Sequence, residues 1–307
     1  MISTFSPAWT RPWSRTACRA VPPETGTAAA CSKERFAGFG ASLAGTVEAV
    51  GPGAAGFAPG DEVFGIGEGT FAEYATARPA KLAAKPANLS FEQAAAVPVS
   101  GLTALQAVRD HGHVGAGQQV LIIGASGGVG SFAVQIAKAF GAAVTGVAST
   151  AKLDMLRALG ADSVVDYTRQ DFADGRHRYD VILDIGGNAR LSRLRRALTR
   201  RGRLVIVGGE TDGRLLGGSG RQLRAMLLSP FVAQRLGTFV ASENAADLTA
   251  LAELIEAGTL APAIDRSYPL GEAAAAIRHL LAGRTRGKLV VSISPADMHT
   301  PDPGSTA

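Results

Sequence analysis

One short turn constrains this chain more than any other stretch. Gly124-Ala125-Ser126-Gly127-Gly128-Val129-Gly130 follows an uninterrupted apolar run at residues 120–123. Such a run reads as a strand buried on both faces. Val129, Ala133, Ile136 and Phe140 then recur at helical spacing, so the chain turns from strand to helix through glycines. A second apolar strand follows at 142–148. Strand, tight turn, helix and strand in that order predict a parallel βαβ unit, because parallel neighbours need a crossover of this length.

The turn has its own chemistry. Matched to G-x-G-x-x-G, its glycine places hold Ala125, Gly127 and Gly130, with Ser126 between the first two. At Gly127 a missing side chain lets a pyrophosphate come close, and at Gly130 it lets the helix pack on the strand. The N–H groups of Gly128 and Val129, at the positive end of the helix dipole, suit an anion. A dinucleotide is therefore expected here. An acid at the end of the second strand would hold the 2′-hydroxyl of NAD and repel a 2′-phosphate. None stands between 146 and 151, where Ser149 and Thr150 are followed by Lys152. Hydroxyls and a compact cation suit phosphate, which predicts NADPH over NADH. Lys152 also reads as a solvated residue at a helix start.

Alternation of strand and helix continues to about residue 266. Strands are expected at 119–124, 142–149, 163–167, 179–186, 202–209 and 237–241, and helices at 128–140, 152–159, 189–198, 221–228 and 245–256. Together they predict an α/β domain over 117–266, a doubly wound parallel sheet of Rossmann type. Before it, 40–116 reads as short strands with Gly/Pro turns, including 44–51 and 69–77, then a helical stretch broken at Pro98 and capped by Ser90. A last helix and strand at 267–295 have no crossover partner after them and are expected to rejoin that first domain. Residues 1–39 hold both Trp, both Cys and four Pro without periodicity, and are expected to be divergent or disordered. A disordered tail is expected at 296–307.

Composition excludes several classes. The formal charge of +5 rests on 31 basic residues, only six of them Lys. That suits an anionic cofactor and falls short of a nucleic-acid footprint. In the densest basic run, 190–203, Leu191, Leu194 and Leu198 mark an inner helix face and leave the arginines outside. Cys18 and Cys31 form neither a disulfide framework nor a zinc spacing, and His111 and His113 lack a third ligand, so no metal is expected. No apolar run approaches the roughly 18 residues that span a bilayer, and no leader pattern opens the chain. A cytoplasmic protein without membrane contact is expected.

At this point the text resembles a family. "AGTVEAVG", "GDEVFG", "FAEY", "LSFEQAAAVPVSGLTAL", "VLIIGASGGVG", "LGADSVVDY", "YDVILDIGG", "GRLVIVGG" and "GKLVV" run in order from about Ala44 to Ile293. They are similar to the medium-chain dehydrogenase/reductase superfamily, most of all its zinc-independent, quinone-oxidoreductase-like branch. The resemblance implies a GroES-like β-barrel domain beside the Rossmann domain, with the cofactor in the cleft. It places Gly127, Gly128, Val129 and Gly130 in the pyrophosphate loop, and Ser149, Lys152 and Tyr167 at the ribose and its 2′-phosphate. Thr103, Gly186, Gly187, Val207, Gly208 and Gly209 would stand near the nicotinamide, with Lys288 a late contact. Tyr167 also reads as a strand-end aromatic, and Gly208 and Gly209 as turn glycines. Phe64, Ile66 and Phe71 serve either as a substrate pocket or as core.

Two departures stand out. Ser42 takes the place of an Asp in the family's G-x-D-x-A-G turn, and nothing before Arg35 reads as family text. A frameshift, deletion or misassigned start is the expected cause, leaving a barrel incomplete at its N-terminus. The function implied is NADPH-dependent hydride transfer to a quinone, enone or carbonyl without zinc. Rival readings are a non-catalytic NADPH-binding protein or damaged enzyme, and zinc-free alcohol oxidation. A small electrophile and a second copy of the chain are the partners expected.

Overall fold

The computed structural model describes residues 28–30, 34–36, 39–186, 189–208 and 220–293. Its first part is antiparallel: β1 (Ala28–Ala30), β2 (Glu34–Phe36), β3 (Phe39–Val50), β4 (Glu62–Glu68) and β5 (Ala75–Ala84). They lie in the order β1-β5-β4-β3-β2, and β1 pairs with β3 as well as β5. That double pairing closes a ring of four strands and leaves β2, outside the ring, as the open edge among the described strands. Leu43, Val47, Val63 and Leu82 fill the ring. β1 and β2 fall within the stretch expected to be divergent. Strands of three residues show no periodicity of their own, and β3 and β5 supply their alignment. The strand expected over 69–77 starts later, at Ala75, because Gly69 takes a left-handed φ of 69° and residues 71–73 bend.

α1 (Phe91–Ala95) opens as expected, with Ser90 Oγ accepting the Gln93 N–H at 3.2 Å and Gln93 Oε1 accepting the Ser90 N–H at 2.9 Å. Pro98 then starts α2 (Pro98–Gln106), where a missing N–H costs nothing, and the helix ends in one π-turn over Ala107–His111.

The second part is parallel. β6 (Gln119–Ile123), α3 (Gly128–Ala139), β7 (Ala143–Ala148), α4 (Leu153–Ala158), β8 (Ser163–Asp166), β9 (Tyr179–Asp184), α5 (Leu191–Ala197), β10 (Leu198–Ile206), α6 (Gly220–Leu228) and β11 (Arg235–Thr238) follow in turn. The sheet order is β11-β10-β9-β6-β7-β8. Winding therefore reverses between β6 and β9, and ligands bind such sheets at the carboxyl ends beside that reversal. β11 sits earlier than the expected 237–241, because Arg235–Thr238 take their register from residues 203–206 of β10. On α5, Leu194 is fully buried and the arginines lie outward, as the leucine spacing implies, while the helix stops short of the expected 198 and the buried Leu198 opens β10.

α7 (Ala245–Glu256) packs back on β5 and α2, joined by Lys81–Glu243 at 2.5 Å and by Gln106 Nε2 donating to Asp247 Oδ2 at 2.7 Å. β12 (Ile264–Pro269), α8 (Ala273–Leu281) and β13 (Lys288–Ser292) end the described chain. β12, absent from the sequence expectation, pairs parallel with β13. The expected domain boundary at 266/267 thus falls inside a strand. Tyr268, Ala276, Leu289 and Val291 form a small cluster on which Phe71 packs. Among the described residues no helix is long and apolar enough to cross a membrane.

Candidate nucleotide-binding site

The glycine turn sits at the winding reversal. Gly124 takes a left-handed φ of 79°, and a Cβ there would lie 2.7 Å from the Gly186 nitrogen, so the ends of β6 and β9 meet through bare backbone. At Gly130 a Cβ would lie 2.2 Å from the Gly124 oxygen, so a side chain here would push α3 off the turn. Gly127 differs. Its added Cβ meets nothing closer than the Gly124 oxygen at 3.5 Å, leaving an open approach to the backbone. Gly127 is the N-cap of α3 without a side-chain cap, and the first helical hydrogen bond runs from Ser131 N–H to the Gly127 carbonyl at 2.9 Å. The amides of Gly128, Val129 and Gly130 therefore precede any helical acceptor. Ala125 and Ser126 are buried beneath this mouth.

Other strand ends gather at the same edge. Gly186 N–H donates to the Ile123 carbonyl at 3.3 Å, and Val207 N–H to the Asp184 carbonyl at 3.0 Å. Gly208 admits no side chain, since a Cβ would stand 2.4 Å from the Ile185 oxygen. Gly187 and Gly209 lie outside the described residues. Ser149 and Tyr167 follow β7 and β8, and Tyr167 is 61% exposed, so it is not held as core.

The last described strand, β13, and the residue before it complete the mouth. Gly287 N–H donates to the Ser126 carbonyl at 2.9 Å, and Gly287 bridges Gly127. Lys288 Nζ donates to Ser100 Oγ at 3.2 Å, and its Cδ lies 2.9 Å from where a Gly128 Cβ would be. Thr103, one turn along α2, directs its Oγ1 to the Val99 carbonyl at 2.7 Å.

With this geometry the chain was compared with known proteins. A family model described as "Zinc-binding dehydrogenase" matches residues 159–291, and one described as "Alcohol dehydrogenase GroES-like domain" matches 20–87. The second match begins ahead of Arg35, which corrects the reading that family text is missing before that residue. The structure resembles that of the quinone oxidoreductase from Coxiella burnetii, with a TM-score of 0.77 and 26% identity over 89% of this chain and 96% of that one. The chain belongs to the medium-chain dehydrogenase/reductase superfamily. Within it, the chain falls in the quinone-oxidoreductase-like branch. It is 33% identical to the 2-methylene-furan-3-one reductase of Solanum lycopersicum and 34% to the mitochondrial NAD(P)H oxidoreductase RTN4IP1 of Mus musculus, over 83% and 77% of its own length. It spans 63% and 65% of those relatives' lengths.

This dehydrogenase/reductase chain departs from its sequence expectations at several residues. Lys152 is not a solvated helix-start residue: its Nζ donates to the Thr285 carbonyl at 2.7 Å and the Gly283 carbonyl at 3.4 Å. Burial, reinforced by the nearby Arg286 guanidinium, lowers its pKa. Phe64 and Ile66 are 0% and 4% exposed in the main core, so they offer no face to a substrate, and Phe71 packs on the terminal cluster.

An acid does stand beside the end of β7, on β8 rather than on β7 itself. Asp166 accepts hydrogen bonds from the hydroxyl of Thr150 and from the Thr168 hydroxyl (2.6 Å) and N–H (3.0 Å), which hold its pKa low. Its oxygens are thereby committed to protein donors. Two further residues escaped the sequence reading. Asp184, with no solvent exposure at the end of β9, lies 2.6 Å from Arg221 Nη1. Arg221 also donates to the Ala189 and Gly208 carbonyls at 3.2 and 3.1 Å. The one sequence signal was an acid closing an apolar strand in "YDVILD". Among the described residues no three His, Cys, Asp or Glu side chains group as a metal site would; Cys18 and Cys31 lie outside them.

Proposed function

We propose that this chain is an NADPH-dependent oxidoreductase that reduces a quinone, enone or carbonyl compound without zinc. The observation that carries the reading is the open backbone at Gly127 facing three first-turn amides of α3, at the winding reversal of the sheet. That cradle fits a pyrophosphate. When bound, the nicotinamide cofactor would supply the hydride.

The chain's own residues do the rest. The amides of Gly128, Val129 and Gly130 would neutralise the pyrophosphate. Ser149, Lys152 and Tyr167 would hold the ribose and its 2′-phosphate, Asp166 being occupied by Thr150 and Thr168. Gly186, Val207 and Gly208 would orient the nicotinamide against the substrate, a matter of positioning. Lys288 would add charge at the mouth. The names of the relatives support the reaction class: one is an NAD(P)H oxidoreductase, one acts on a 2-methylene-furan-3-one, and the structural neighbour is a quinone oxidoreductase.

The test mixes the protein with NADPH or NADH and a panel of small quinones and enones, following cofactor absorbance. Turnover with NADPH exceeding that with NADH is expected, undiminished by a zinc chelator. Cofactor binding with no turnover on any acceptor would instead make the chain a non-catalytic NADPH-binding protein.

A further inference from the structure

A second charged cavity lies away from the glycine turn. β10 and β11 place Arg203 beside Arg235 and Val205 beside Gly237 as direct partners. Neighbouring partners point to the same face, and residues two apart share it, so Arg203, Val205, Arg235, Gly237 and Phe239 line one side of this sheet edge. Leu204 and Leu236 face the other way, into the second core. Over the first face comes the π-turn that ends α2: the His111 ring stacks on Phe239, with centroids 4.1 Å apart. Between these walls is a cavity of about 290 Å³, lined by Arg203, Arg235, His111, His113, Asp110 and Gly237 among others. Its floor is open because a Cβ on Gly237 would meet nothing within 4 Å.

The charge here is unbalanced. Like charges on directly paired strand residues repel, yet among the described residues no hydrogen bond or ion pair joins Arg203 or Arg235 to a carboxylate. The one acid on the wall, Asp110, is taken by Arg109, whose Nε and Nη2 reach its two oxygens at 2.6 and 2.8 Å. His113, on the cavity wall, holds a left-handed φ of 47°, a conformation in which His, like Asn and Asp, is enriched. Burial and then the Arg235 charge lower the Arg203 pKa; burial lowers that of His111, opposed by the Asp110 charge and reinforced by His113. The free protein therefore carries a cationic cleft at a cost that a bound anion would remove.

We propose that this cavity binds a phosphate dianion, held by the guanidinium groups of Arg203 and Arg235 and the imidazole of His111. Planar guanidinium groups suit phosphate oxygens, and a bound dianion would favour protonated His111. The site is distinct from the glycine turn and does not depend on the reading of that turn.

Long-range nitrogen–proton NMR of the imidazoles reads the site locally, with His111→Gln supplying the assignment. Titrating the full native chain with inorganic phosphate just above neutral pH, where the dianion predominates, against chloride of equal ionic strength, should shift His111 and His113 to saturation and raise the pH at which His111 titrates. Glycerol phosphate in place of the free ion tells the two sources apart: an equal response assigns phosphomonoesters, and none assigns inorganic phosphate. Arg203→Gln with Arg235→Gln should weaken binding roughly tenfold or more and raise Tm without phosphate. Gly237→Val, which suits a strand and puts a branched side chain on the cavity floor, should keep the fold and weaken the response. Unmoved His111 and His113 signals in the native chain, or an undiminished response in Gly237→Val, overturn the proposal.

Discussion

Arg221 on α6 holds the buried Asp184 at the end of β9, with Nη1 2.6 Å from Oδ2, while its other donors reach the carbonyls of Ala189 and Gly208. One side chain thus fastens the ends of β9 and β10, beside which the nicotinamide is proposed to lie. Replacing Arg221 with Met strands a fully buried carboxylate. The expected loss is about 3–5 kcal/mol of unfolding free energy, measured by urea denaturation. Adding Asp184→Leu should recover most of it, since a well-packed apolar pair is often no less stable than a buried ion pair.

The two glycines of the turn should respond differently to a single methyl group. Gly130→Ala drives a Cβ to within 2.2 Å of the Gly124 oxygen, so thermal stability should fall along with nucleotide binding. Gly127→Ala meets nothing closer than 3.5 Å, so Tm should hold while nucleotide affinity drops by about tenfold or more from blocked approach. Equal Tm losses in both variants would contradict this division of labour.

Lys152 is expected to set the preference between cofactors. Lys152→Ala should raise KM for NADPH by about tenfold, the scale of one charge-assisted hydrogen bond, and leave that for NADH nearly unchanged. The charged amine is the form that attracts a 2′-phosphate, and burial favours its neutral form. NADPH affinity should therefore weaken as pH rises, earlier than an ordinary lysine would dictate, and NADH affinity should not follow. Steady-state kinetics across alkaline pH checks both statements; an unchanged preference in Lys152→Ala removes the residue from the site.

Asp247 joins α7 to α2. Burial alone would raise its pKa, but hydrogen bonds from Asn244, Arg109 and Gln106 together with the Arg109 charge hold it below the ordinary value. Such a carboxylate stabilises the fold above its unfolded pKa of about 3.9, and that contribution is lost as pH falls through the lower folded value. Asp247→Asn should cost roughly 1–2 kcal/mol at neutral pH, with the difference from the native chain vanishing in acid. Denaturation at several pH values measures it.

The parallel half of the fold was legible because its signals are local. The apolar run of β6, the glycine turn and the helical spacing of Val129, Ala133 and Ile136 all lie within one βαβ unit, and α7 falls at its expected residues 245–256. What escaped depends on partners distant in the chain. β1 and β2 are too short to show a pattern and owe their alignment to β3 and β5. β11 is displaced because its register comes from β10. At the site, spacing led to the turn and to Lys152, but not to what Lys152 touches, since Gly283 and Thr285 carry no side-chain signal for it. Arg221 was invisible for the same reason: among many arginines, only the fold selects the one that meets Asp184. Phe64 and Ile66 show the reverse case, where apolar residues suit pocket and core alike and burial decides.

The clasp of Gly287 on Ser126 and of Lys288 on Ser100 has a consequence for how the protein is made. Residues 188 positions apart must meet before the mouth of the glycine turn is finished. Contacts so remote in sequence form late and slowly, because the entropy of closing the intervening chain is lost before they repay it. During synthesis the Rossmann sheet can therefore assemble from its own neighbouring strands while the mouth of its glycine turn stays unfinished. The place proposed for the dinucleotide is therefore closed only once β13 has emerged and docked.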